Sequence, residues 1–145
     1  MVLPDKYKIL RNFNSYSNWE DKYLYIISLG SNLSSSLSDI LHKPEYIISG
    51  CQSQVWIRME LQSDGTIFFQ GDSDASIVKG LIAIVFSLYQ GMNAKEILEF
   101  DVFHWLKKFN LTNYLTPSRR QGIESIIKNI RLNAESLAYN RVKTL

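Results

Sequence analysis

The segment from Ala75 to Gln90 is apolar almost all round, interrupted by a single charge at Lys79 and closed by Gly91. A helix without a polar face cannot lie on a surface, so the rest of the chain has to surround it and make it the core. It is not a membrane span. The longest unbroken apolar run, Leu81 to Phe86, falls far below the roughly 20 residues that crossing a bilayer requires. Asp72, Ser73 and Asp74 stand just ahead of the segment as candidate N-caps, and Gly91 is its stop signal.

The preceding residues have a different period. Val55, Ile57, Met59 and Leu61 alternate with Trp56, Arg58 and Glu60, and Ser63-Asp64-Gly65 reads as a hairpin turn into a second strand from Thr66 to Gln70. A further short strand is expected over Tyr46-Ile47-Ile48. Helical spacing frames this block on both sides. Pro4 fits the first turn of a short helix reaching Leu10 and Phe13. Ser17 with Glu20, or Asn18 with Asp21, has the spacing of a capping box for a helix ending at Gly30. The serine-rich stretch from Ser31 to Lys43 reads as a connector ending at Pro44. After Gly91, short helices are expected over Ala94 to Leu98 and Val102 to Phe109. Thr116 as N-cap and Pro117 as first helical residue open a last helix, whose stripe Ile123, Ile126, Ile127, Ile130 and Ala134 should reach about Leu137. The class is therefore α+β, a small antiparallel sheet packed against helices. With 145 residues, 46% of them hydrophobic, the chain is long enough for one domain over residues 1–145 with a core that needs no staples.

Charge and sulfur narrow the function classes. The net charge of +2 is too small to argue for nucleic acid, and no aromatic pattern for stacking bases surrounds Trp56 or Trp105. The basic residues gather late, with Lys107, Lys108, Arg119, Arg120, Lys128, Arg131, Arg141 and Lys143 beyond His104 against only Glu124 and Glu135. Such asymmetry is compatible with docking, with a homodimer or with neither, and the sequence does not choose among them. A proline and an acid interrupt the apolar start MVLPDKYKIL, which argues against export and for a cytoplasmic location. Cys51 is the only cysteine. It excludes an intramolecular disulfide, and with two histidines, His42 and His104, it cannot make a structural zinc site without carboxylates.

Cys51 is flanked by Ser49, Gly50, Gln52 and Ser53, a small and polar setting that argues for a loop at the end of the sheet. A free cysteine is commonly an inert, buried small hydrophobe, but this one does not lie in an apolar stripe. To act as a nucleophile it must become a thiolate, which calls for a nearby cation or a partner. Arg119 and Arg120 are candidates, because a positive charge in a first helical turn opposes the macrodipole by about 0.3–1 kcal/mol, and they are equally compatible with solvated surface charge. A Cys–His pair with His42 or His104 would require hydrogen-bond reach. Gly71-Asp72-Ser73-Asp74 lacks the endings of a phosphate loop and the ligand spacing of a calcium loop, so helix capping is its expected role.

Three separated motifs then point to one family. Gly50-Cys51-Gln52-Ser53-Gln54-Val55-Trp56, Gly71-Asp72-Ser73-Asp74-Ala75 followed by Ile77-Val78-Lys79-Gly80-Leu81, and Leu115-Thr116-Pro117-Ser118-Arg119 with Gln121-Gly122 closely resemble the SufE family of sulfur-acceptor proteins. Asn18-Trp19-Glu20 and Lys22 to Ile27 add to the likeness, which runs from about Pro4 into the last helix. The resemblance implies a fold similar to the IscU-like scaffolds on which iron–sulfur clusters are assembled. It implies that Cys51 takes sulfur from the persulfide of a SufS-like cysteine desulfurase, stimulates that enzyme, and passes the sulfur to an iron–sulfur scaffold complex. The pyridoxal phosphate of that chemistry belongs to the desulfurase, and this chain is expected to need no cofactor and no metal. Gly50, Gln52, Asp74 and Arg119 match family positions near the acceptor loop or the partner surface.

Overall fold

A computed structural model describes residues 3–33 and 41–144. Its elements are α1 (Lys6–Ser15), α2 (Trp19–Gly30), a 3-10 turn (Pro44–Tyr46), β1 (Val55–Leu61), β2 (Ile67–Ser73), α3 (Ser76–Tyr89), α4 (Ala94–Glu99), α5 (Val102–Phe109), a second 3-10 turn (Leu111–Asn113) and α6 (Pro117–Thr144). The α+β expectation holds: six helices surround one two-stranded antiparallel sheet among the described residues. Of the expected Ser31–Lys43 connector, residues 34–40 lie outside the described residues.

The apolar segment is the centre of the molecule. Every residue of α3 from Gly80 to Tyr89 is buried, and α1, α2, α6 and β2 all pack on it. Its tightest neighbour is α2, because Gly30 and Gly80 face each other at the crossing. A Cβ on Gly30 would lie 2.6 Å from the Gly80 nitrogen, and one on Gly80 would lie 2.1 Å from the Ile26 carbonyl oxygen. Only hydrogen side chains permit backbones this close. On the other side, the aromatic ring of Phe69 from β2 stacks on Phe86 at 5.1 Å.

Local signals behave as the sequence leads one to expect at most helix ends. Asn18, rather than Ser17, caps α2 by accepting from the Asp21 amide at 2.9 Å. Asn93 and Glu96 form a reciprocal capping box on α4, and Thr116 accepts from the Arg119 amide at 3.3 Å at the start of α6. Pro4 precedes α1 instead of entering its first turn, and Asp5 is the cap. Tyr46-Ile47-Ile48 is no strand: Pro44 sets a 3-10 turn through Tyr46, leaving one bridge between Ile47 and Trp56. The alternation in β1 buries Val55 and Ile57 as expected. Leu61 has run past the core and is exposed, while Trp56 is buried on the opposite face by stacking at 3.9 Å on His42.

The expected caps of α3 are the main correction. The second strand does not end at Gln70 but continues through Ser73, and the N-cap position falls to Ala75, which makes no side-chain cap. The polar groups ahead of it have other partners. Asp72 accepts from His42 Nε2 at 2.6 Å and lies 3.5 Å from Lys79 Nζ. The Ser73 hydroxyl donates to the Gln54 carbonyl, and Asp74 accepts from the Gln54 amide. Ser73 and Asp74 thus tie the end of the sheet to the loop that carries Cys51.

Candidate functional site around Cys51

The cysteine loop is an excursion closed at both ends. Ile48 donates its amide to the Val55 carbonyl at 2.9 Å, so residues 49–54 bulge out from the edge of β1. The C-terminal end is held by the end of β2 and the residue after it, through Ser73 Oγ to the Gln54 carbonyl at 2.7 Å and the Gln54 amide to Asp74 Oδ1 at 3.1 Å. Its N-terminal end is held by α6, where Ser125 donates to the Gly50 carbonyl at 3.3 Å. Gly50 has φ +86° there, which favours glycine, and a Cβ on it would lie 2.5 Å from Ser125 Oγ and displace that hydroxyl.

Between these ties the Cys51 side chain turns to α6, and its thiol lies 3.7 Å from the Gly122 carbonyl oxygen, to which it donates. The thiol is half-buried, and burial pushes it above the ordinary thiol value. Desolvation disfavours the thiolate, so the group rests as a neutral S–H in the free protein. It faces a cavity of about 250 Å³. The mouth carries Gln52, Ser53, Thr116, Ser118 and Arg119, and the floor is Ile77, Val78, Leu81, Ile123 and Ile126.

The residues singled out from sequence separate into three groups. Cys51, Gln52 and Arg119 share the cavity. Arg119 is partly buried, and its guanidinium makes no ion pair among the described residues, whereas Arg120 is exposed. Gly50 and Asp74 sit outside the cavity and shape the loop that bounds it. Neither histidine lines the cavity: His42 is engaged with Asp72, and His104 lies exposed in the first turn of α5. A Cys–His nucleophile pair is therefore not formed. Among the described residues no cluster of three His, Cys, Asp or Glu side chains could hold a metal ion.

Sequence reasoning assigned no role to two supports, both on α6, although Gly122 belongs to one of the family motifs. Ser125 and Gly122 reach the loop from one helix face, and the signals were available: a serine beside the apolar stripe, and a glycine inside a helix, where it costs about 0.8–1.0 kcal/mol relative to alanine. Position 122 is not crowded. A Cβ there would meet only Cys51 Sγ, at 3.9 Å.

A sequence model of the SufE family, described as an Fe-S metabolism associated domain, matches residues 7–134. The chain belongs to the SufE family. The match contains the cysteine loop, the start of α3 and the first half of α6, the segments that line the cavity. SufE membership associates the chain with iron–sulfur metabolism. Among solved structures, the solution structure of a hypothetical protein from Thermus thermophilus is similar with a TM-score of 0.72 at 16% identity. The match covers 96% of this SufE chain and 99% of the other. At that identity the likeness shows a shared fold. Among the described residues no helix is long and apolar enough to cross a membrane.

Proposed function

We propose that this SufE protein is a sulfur carrier of iron–sulfur cluster assembly, that Cys51 accepts sulfur from a cysteine desulfurase and stimulates its turnover, and that it then delivers the sulfur to a cluster scaffold. The observation that carries this is the placement of the chain's only thiol: held on a loop pinned from two sides, at the wall of a cavity with an apolar floor, in a chain of this family.

The chemistry is a thiol–persulfide exchange. The Cys51 thiolate attacks the outer sulfur of the desulfurase persulfide, a new Sγ–S bond forms, the old S–S bond breaks, and the desulfurase cysteine leaves as the thiolate that takes up the proton. No electrons are lost or gained overall. The raised thiol supports a carrier that is unreactive alone, since attack requires the thiolate. Arg119 is the cavity cation available to stabilise that thiolate once a partner excludes water. Asp74, exposed at the rim of the loop, and Gln52 are the groups a docking desulfurase would meet first. Delivery suits one cysteine better than storage, because a cluster needs several ligands.

The test combines the protein with a cysteine desulfurase and L-cysteine and reads its intact mass. The expected product carries one added sulfur atom, is reversed by a thiol reductant, and is absent in Cys51→Ser. A serine variant that still gains sulfur contradicts the role of Cys51. A wild-type chain that stimulates the desulfurase without gaining sulfur makes it an allosteric activator instead.

A further inference from the structure

The interior of a helix is a poor place for glycine unless something needs the space, and at position 122 nothing in the thiol form does. The nearest atom to a methyl placed there would be Cys51 Sγ at 3.9 Å, an ordinary contact, so alanine fits beside the thiol and is the better helix former. Alanine would not fit beside a persulfide whose outer sulfur lies over position 122. The Cys51 S–H is aimed at the Gly122 carbonyl oxygen 3.7 Å away. On persulfidation the outer sulfur replaces that hydrogen at about 2.05 Å from Sγ, too long a bond to stay on the line to the oxygen. It must swing aside, and the space above the Cα of Gly122 lies next to that line.

We propose that Gly122 is a specificity-determining residue whose missing side chain seats the outer sulfur of the Cys51 persulfide. This rests on Cys51 being the acceptor. With a methyl 3.9 Å from Sγ, an outer sulfur pointing within about 60° of it would come closer than about 3.5 Å, inside contact distance. For an outer sulfur in that direction the glycine admits two states of the cysteine where alanine admits one.

The experiment equilibrates the wild-type chain and Gly122→Ala with mixtures of glutathione persulfide and glutathione and reads the persulfidated fraction by intact mass. Each exchange is balanced: the Cys51 thiolate takes the outer sulfur, and glutathione leaves as the thiolate that recovers the proton. The expected result is an exchange constant lowered at least about tenfold in Gly122→Ala. The thiolate absorbance should titrate as in the wild type, and the thermal midpoint should not fall. Equal exchange constants would overturn the proposal, because the outer sulfur would then lie elsewhere in the cavity. A lowered midpoint would overturn it too, by making position 122 a packing site. Failure of the wild-type chain to take up sulfur from either glutathione persulfide or a cysteine desulfurase is a separate outcome, which removes the acceptor role and this seat with it.

Discussion

Alanine introduced at two helical glycines should change stability in opposite directions. At Gly80 the new Cβ would lie 2.1 Å from the Ile26 carbonyl oxygen and 2.5 Å from Ile26 Cγ2. A carbon–oxygen contact needs about 1 Å more, and a helix carbonyl cannot rotate away, so α2 has to move off α3 along their whole crossing. Overpacking of this kind costs typically 1–3 kcal/mol, with a backbone clash at the upper end. The better helix propensity of alanine offsets about 1 kcal/mol. The net loss is about 2 kcal/mol, which for a chain of this size lowers Tm by roughly 6–8 °C. At Gly122 the propensity gain stands unopposed by packing, giving about 1 kcal/mol and a Tm raised by roughly 3–4 °C. Thermal unfolding followed by circular dichroism, with urea titration as a second measure, reads both. A Gly80→Ala protein as stable as the wild type would refute the close crossing of α2 on α3, and with it the placement of the core helix.

Three further outcomes follow from the site and core. Because burial holds Cys51 above the ordinary thiol value, its alkylation by iodoacetamide should be slower than that of free cysteine at neutral pH, with a midpoint displaced to higher pH. The neutral thiol is favoured by folding, so its contribution to stability is complete below the ordinary thiol value and is lost as pH rises through the folded one. A midpoint at or below that of free cysteine contradicts this. Ser125→Ala removes the tie to the Gly50 carbonyl, and at about 0.5–1 kcal/mol for such a bond, alkylation of Cys51 should accelerate roughly two- to fivefold; an unchanged rate would show the loop is held without it. Tyr89 is fully buried, and its hydroxyl makes no hydrogen bond of good geometry among the described residues. Burial, only partly offset by Arg131, pushes it up to about 12 from 10.0, so stability should fall as pH rises across that interval. Tyr89→Phe should remove this part of the alkaline loss at little cost near neutral pH, and an identical alkaline profile would count against it.

Legibility from sequence followed the range of the interaction. The core helix announced itself by lacking a polar face, and the hairpin and the start of α6 by local turn and cap chemistry, all within a few residues of one another. The caps expected at Asp72, Ser73 and Asp74 failed because the distant partners His42 and Gln54, with Lys79 of α3 itself, compete for the same oxygens. The apolar stripe of α6 predicts an end near Leu137, but the helix continues to Thr144. Cys51 was legible as the reactive candidate from its polar surroundings and the motif it belongs to. A glycine inside a helix was a local signal, but its pairing was not legible, since the contacts from Cys51 to Gly122 and from Gly50 to Ser125 span 71 and 75 residues. The glycine pair joining α2 to α3 is hidden in the same way: nothing in the local sequence of Gly30 announces Gly80.

The most direct measurement follows labelled sulfur. With L-cysteine carrying radioactive sulfur and a cysteine desulfurase, the label should appear on the peptide containing Cys51, disappear on treatment with dithiothreitol, and move to an added cluster scaffold when that is present. Label that reaches the scaffold at an undiminished rate while bypassing Cys51, or that survives Cys51→Ser, would contradict the account.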